Sequence, residues 1–123
     1  MEGFIVESTG LIHPTILACS HDGSLTDSHI GKFVKLSGNM AVSLCADSEV
    51  PWGQIVTLEK GSNVVGVQVA GSMEAMYSGT DPVAGKENFL CDVNGDLKIG
   101  VGAVFTVLSV DATNKKISLL KNY

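Results

Sequence analysis

Short apolar runs separated by turn residues fill the chain from Gly31 onward and constrain its fold more than any other feature. No window keeps a helical period beyond about two turns, and Val83–Asn88 offers at most one turn. Runs rich in Val, Ile, Leu or Phe and bounded by turn residues are typical of β-strands. The runs are Lys32–Leu36, Met40–Cys45, Gln54–Glu59, Val64–Ala70, Met73–Tyr77, Asn88–Val93, Leu97–Ile99, Val104–Val110 and Lys116–Leu120.

The turns between these runs predict the architecture. Asn94-Gly95 is typical of a β-hairpin, and we expect a type I′ turn there, with positive φ at both residues. Ala70-Gly71 and Ser78–Pro82 mark further breaks between strands. A parallel sheet needs crossover helices, which the sequence lacks. The sequence therefore predicts an all-β fold, a small antiparallel β-barrel or sandwich of tulip-like shape.

Residues 1–30 differ in composition from the rest. They hold all three histidines and a polar stretch from Ser20 to Ser28, after the short apolar runs Phe4–Val6 and Thr15–Ala18. Pro14 restrains the residue before it to extended geometry. We expect an extended N-terminal arm over 1–30, with one or two short strands and removable without loss of the fold, followed by a β domain over 31–123.

The charge of the chain excludes some partners. The net charge is −5, and all eight basic residues are lysine. Arginine supplies most bidentate phosphate and guanine contacts, and an acidic chain is repelled by a phosphate backbone, so we expect no nucleic-acid partner. No run of about 18 apolar residues could span a bilayer, and Met1–Phe4 lacks the basic start of a secretory signal. We therefore expect no membrane partner and synthesis in the cytoplasm of the producing cell.

Residues that carry catalysis or bind metals do not form a recognisable motif. Cys19, Cys45 and Cys91 include no Cys-x-x-Cys pair, and we expect small buried hydrophobes in a reducing compartment. A nucleophile elbow is absent, and Cys19 with His21 lacks an orienting third group. His13, His21 and His29 would meet at a metal ion only if the arm folded on itself; a solvated arm is the simpler interpretation.

Two glycine-containing segments resemble ligand-binding motifs only superficially. Asp92–Asp96 has its glycine at the wrong position for a calcium loop and lacks the later glutamate, so turn chemistry explains it. Gly100–Gly102 has Phe105 where a dinucleotide fingerprint needs its third glycine. The sequence therefore predicts no enzyme, no cofactor and no metal.

Several segments together resemble the small decoration, or cement, proteins of tailed-phage capsids. The similar segments are Gly31-Lys32-Phe33-Val34-Lys35-Leu36, Pro51-Trp52-Gly53-Gln54-Ile55-Val56, Val67-Gln68-Val69-Ala70-Gly71, Tyr77-Ser78-Gly79, and the closing Val107–Asp111 with Ile117–Leu120. The resemblance covers about Gly31 to Leu120 and rests on short, glycine-based motifs. Residues 1–30 match none of them.

This resemblance implies a non-catalytic role on the outer surface of a virion. The family's β-barrel or tulip-like domains, often trimers, clamp neighbouring major capsid subunits, and an N-terminal arm commonly contacts the capsid. It implies a major capsid protein and further copies of this chain as partners. By position, the residues expected to bind the capsid are Phe4, Ile5, Val6, Leu11, Ile12, His13, Pro14, Ile16, Leu17 and Trp52. Trp52 has an alternative place as a lid on the core.

Two other functions remain open. A carbohydrate- or host-surface-binding β module of a fibre or tail tip would stack sugars on exposed aromatic side chains, and only seven aromatic residues are present, most within apolar runs. A small β-barrel enzyme would need a catalytic motif. Both are less favoured than capsid decoration.

Overall fold

The computed structural model describes residues 14–121, and these form nine β-strands and no α-helix. The strands are β1 (Thr15–Ser20), β2 (Phe33–Gly38), β3 (Ala41–Leu44), β4 (Gly53–Leu58), β5 (Val64–Met76), β6 (Gly85–Cys91), β7 (Leu97–Ile99), β8 (Ala103–Asp111) and β9 (Lys116–Lys121). A single 3-10 turn spans Asp27–His29. The all-β prediction is confirmed.

The first five strands close into a small barrel in the order β1–β3–β2–β4–β5, with β5 pairing back onto β1. β1 and β5 are antiparallel from Thr15–Ala70 to Ser20–Val64. β1 and β3 meet at one parallel pair, where the Ser20 amide donates to the Met40 carbonyl at 2.9 Å. Alternating side chains from these strands fill the interior. This first core contains Cys19, Leu25, Val34, Val42, Ile55, Val65 and Val67.

The remaining strands form a second sheet that shares β5, in the order β5–β9–β8–β6–β7. A bridge between Tyr77 and Leu97 brings the far edge of β7 back to the end of β5. The second core is aromatic: Phe105 packs edge-on against Phe33 and Phe89, with ring centroids 6.2 and 5.7 Å apart. Because Phe33 comes from β2, the two cores are in contact.

β5 runs through both sheets, so the predicted break at Ala70-Gly71 is wrong. Gly71 has φ +102°, a conformation open to glycine, and the strand turns there from its β1 and β4 partners to β9. The sequence signal came from a real backbone irregularity, which lies within one strand of 13 residues. Val83–Asn88, for which the sequence allows at most one helical turn, contributes instead to β6, which begins at Gly85 and pairs with β8.

The predicted hairpin at Asn94-Gly95 is present and joins β6 to β7, but its turn is not type I′. Asp92 and Asp96 face each other, and only Gly95 has positive φ, at +81°. This leaves a three-residue loop that ends in a left-handed glycine, a common alternative hairpin geometry. The Asp92 carboxylate holds the loop by accepting bonds from the Asn94 and Asp96 amides at 2.8 and 3.0 Å.

The arm predicted over residues 1–30 divides at about residue 14. Residues 1–13 lie outside the described range. Residues 15–20 form β1, which pairs with β5 along its length, and both Cys19 and Leu25 are buried in the first core. Residues 14–30 are thus part of the barrel, because β1 supplies the strand that closes it.

Candidate functional site

The residues predicted to bind the capsid fall into two groups, outside and within the described range. Phe4, Ile5, Val6, Leu11, Ile12 and His13 lie outside residues 14–121. Pro14 is exposed at the start of the described chain.

The other predicted residues lie on the first barrel. On β1, Ile16 is 50% exposed, whereas Leu17 packs against the first core. Trp52 is half-buried and packs against the same core just before β4, which matches its alternative as a core lid. Of this set, Pro14 and Ile16 are the members that the structure leaves open to a partner.

Exposed aromatic rings are absent from the described part of the chain. Phe33, Tyr77, Phe89 and Phe105 are buried, and Trp52 is half-buried. A sugar site built on stacking needs an aromatic face open to solvent. The arrangement in residues 14–121 therefore offers no such platform.

The cysteines and histidines serve local structure in the described region. All three cysteines are buried free thiols, as predicted. Contact with Cys45 and burial raise the pKa of the Cys91 thiol, so it is not an activated nucleophile. His21 is 8% exposed, which corrects its prediction as a solvated arm residue; its Nδ1 accepts the Gly23 amide, and its Nε2 has no partner among residues 14–121.

Neither a metal site nor a membrane-spanning helix emerges from the described residues. Between 14 and 121, no three His, Cys, Asp or Glu side chains gather closely enough to hold a metal ion. That same stretch contains no helix of the length and apolarity that a bilayer crossing requires.

A cleft with a mixed polar and apolar lining lies where the barrel meets the second sheet, and we call it the junction cleft. Its volume is about 600 Å³. Gln54 of β4 and Gln68 of β5 form one end; they are cross-strand neighbours on the face opposite the core residues Ile55 and Val67. The remaining lining residues are Ser72, Met73, Glu74, Leu108, Ser118 and Leu119.

The two glutamines are nearly buried and fix the junction. The Gln68 amide nitrogen donates to the carbonyls of Ala70 and Ser72 at 3.2 and 2.8 Å, on either side of the bend in β5. The Gln54 amide nitrogen donates to Gly31 and Glu74 carbonyls at 3.0 and 2.6 Å. These bonds give each of the four main-chain carbonyls a donor, and buried carbonyls are costly without one.

Sequence reasoning did not identify this cleft. Gln54 and Gln68 stand inside the apolar runs Gln54–Glu59 and Val64–Ala70, and a polar residue within such a run was the available signal. The partner across the cleft comes from β8 and β9, some 50 residues later in the chain. Pattern alone could not bring those strands together.

Comparisons with protein-family models, with curated proteins and with solved structures find no match to this chain. The resemblance to capsid decoration proteins therefore rests on the segments between Gly31 and Leu120 alone.

Proposed function

We propose that this protein decorates the outer surface of a phage capsid and stabilises the shell by bridging major capsid subunits. The observation that carries the proposal is the resemblance of five segments to capsid decoration proteins. Four of these segments overlap β2, β4, β5 and the β8–β9 pair, whereas Tyr77-Ser78-Gly79 follows the end of β5. The all-β fold is of the kind that the resemblance implies.

Composition supports an outward-facing position on the shell. A protein on the outer surface does not contact the packaged DNA, and an acidic chain without arginine is unsuited to phosphate contacts. The N-terminal segment, Pro14 and Ile16 are the proposed anchor. Many copies on one shell would act together, because multivalency raises avidity without new contacts.

We further propose that the protein acts as a trimer, the state common in the family. A closed barrel has few free edges, so a trimer interface would join faces or loops rather than strands. Sedimentation velocity measures the state directly. The number of copies bound at each local three-fold axis of the shell gives the state on the capsid. A monomer in solution together with single copies on the shell would contradict the trimer.

Co-sedimentation with purified capsids tests the proposed function. Increasing amounts of protein are mixed with capsids that lack it, and the pelleted fraction is quantified. We expect saturable binding at a fixed number of copies per capsid. The absence of saturable binding to both expanded and unexpanded capsids would contradict the proposal.

A further inference from the structure

Glu74 is an exception among the acidic residues of the described chain. Each of the others in residues 14–121 accepts a hydrogen bond or pairs with a lysine. The Glu74 carboxylate, exposed on β5, does neither. Lys116 lines two smaller cavities together with Glu74 but does not form an ion pair with it. An unpaired carboxylate at a cleft is a binding group for a cation.

The buried end of the junction cleft is also rich in acceptors. Both hydrogens of each glutamine amide are used by main-chain carbonyls, which fixes the orientation of the amide because the reverse would place oxygen against oxygen. The side-chain oxygens of Gln54 and Gln68 receive no donor within residues 14–121. Neither oxygen is among the fully buried side-chain atoms that lack a partner, so each retains contact with solvent and is available to a ligand. The cleft therefore presents two amide oxygens and a carboxylate.

The apolar lining matches the stem of a long basic side chain. Leu108, which is 50% exposed, is the lining residue whose apolar side chain is open to such a stem, because Met73 and Leu119 are buried in the second core. Arginine and lysine bury their aliphatic stems along such surfaces while the charged end finds acceptors. Arginine fits better, because its planar group carries donors in several directions and can reach the carboxylate and an amide oxygen together.

The composition and charge of the chain indicate that the arginine belongs to a different protein. The 123 residues of this chain contain no arginine, so a second copy of this chain does not supply one. The net charge of −5 favours approach of a basic surface.

From these observations we propose that the junction cleft binds an arginine side chain of a partner protein, with Glu74 as its counter-ion and Gln54 and Gln68 as acceptors. The identity of the partner as the capsid subunit rests on the proposed function. The site itself rests on the cleft and is testable without a capsid.

Small probes test the site directly. N-acetyl-arginine amide is titrated into ¹⁵N-labelled protein, and the side-chain amide signals of Gln54 and Gln68 are followed by NMR. We expect saturable shifts of both signals. The affinity for the probe obtained from them should fall about three- to fivefold in Glu74→Gln, the range for an exposed ion pair. Glu59→Gln removes the same charge in the turn after β4, away from the cleft, and should leave the shifts unchanged.

N-acetyl-citrulline amide is the neutral match to the arginine probe. Equal shifts from citrulline and arginine, or an unchanged response in Glu74→Gln, would overturn the assignment. No shift with arginine at any concentration short of denaturation would overturn it as well.

Capsid binding then separates this inference from the proposed function. If the original chain binds capsids and Glu74→Gln binds about three- to fivefold more weakly while Glu59→Gln does not, the cleft contacts the capsid. Equal capsid binding by all three proteins overturns the capsid subunit as the partner of the cleft and leaves capsid decoration standing. Failure of the original chain to bind contradicts the proposed function, whereas the probe titration still decides whether the cleft is an arginine site.

Discussion

Gly95 occupies the position in the β6–β7 turn that tolerates a side chain least. Its φ is +81°, and a Cβ atom there would lie 2.9 Å from Cδ1 of Leu44. Gly79 has a similar φ of +78° but no atom within 4 Å of the same position. Alanine variants at these two glycines therefore distinguish the cost of backbone strain, present at both, from the cost of steric conflict, present at Gly95 alone.

We expect Gly79→Ala to lower the free energy of unfolding by about 1 kcal/mol through backbone strain alone. Gly95→Ala should lower it by about 1–3 kcal/mol, because the terminal methyl of Leu44 must also move. Urea unfolding monitored by circular dichroism measures both variants. Equal effects would show that Leu44 adapts without cost.

Tyr77 links the end of β5 to the β8–β9 turn. Its hydroxyl donates to Asp81 at 2.6 Å, Asp81 pairs with Lys115 at 2.8 Å, and the Lys115 ammonium lies 5.2 Å from the Tyr77 ring centroid. The hydrogen bond to Asp81, followed by burial, raises the pKa of Tyr77 to about 12. The folded state thus favours the neutral phenol. This contribution to stability is complete below pH of about 10, the ordinary tyrosine pKa, and is lost as the pH rises toward 12.

Absorbance titration in a Tyr123→Phe background isolates Tyr77. We expect ionisation near pH 12, and in Asp81→Asn a pKa that falls toward the ordinary value, because the acceptor and its charge are changed together. Lys86→Gln, which removes a lysine outside this group, is the control. Titration of Tyr77 near pH 10 with Asp81 intact would contradict the hydrogen bond.

The sequence pattern predicts most of the strands, but it does not predict the ends of a strand that changes the strand it pairs with. Leu97–Ile99 was predicted with its observed ends, because strong turns flank it. β5 was divided in two at Gly71, since a glycine that bends a strand and one that ends a strand look alike in sequence. β1 was assigned to an arm, because its polar surroundings do not reveal that it pairs with a strand 50 residues later.

Truncation tests the role of β1. A chain shortened to start at Pro14 should keep its β-sheet circular dichroism and unfold cooperatively. A chain that starts at Gly31 should be unfolded or aggregate, since it lacks two buried core side chains and exposes the β5 edge that β1 covers. This outcome reverses the expectation from sequence that residues 1–30 are dispensable for folding. Retention of a cooperative fold from Gly31 onward would show that four strands and the second sheet suffice.

Residues 14–121 form two packed cores that share β5. Composition and the absence of helical periodicity were enough to predict a small all-β domain, because each run must bury one face. They could not predict the second sheet around Phe89 and Phe105, or the junction cleft, since both depend on contacts between strands far apart in sequence. The cleft residues also belong to apolar runs and carry no catalytic motif.

The proposed function gives this two-core domain the task of stabilising an assembled shell. Binding to the assembled shell in preference to the disrupted one stabilises the shell by mass action, and many copies add their contributions. If strand and apolar contacts of the N-terminal segment dominate, salt should change the affinity for the capsid little. If the junction cleft contributes an ion pair, high salt should lower the affinity of the original chain by about as much as Glu74→Gln lowers it at low salt.

Thermal release of DNA from capsids measures this stabilising role most directly. Capsids lacking the protein are heated with and without saturating amounts of it, and released DNA is followed with an intercalating dye. We expect release to shift upward by several degrees at full occupancy, in proportion to the copies bound. Identical release curves at saturating occupancy would contradict a stabilising role and favour binding to a host surface instead.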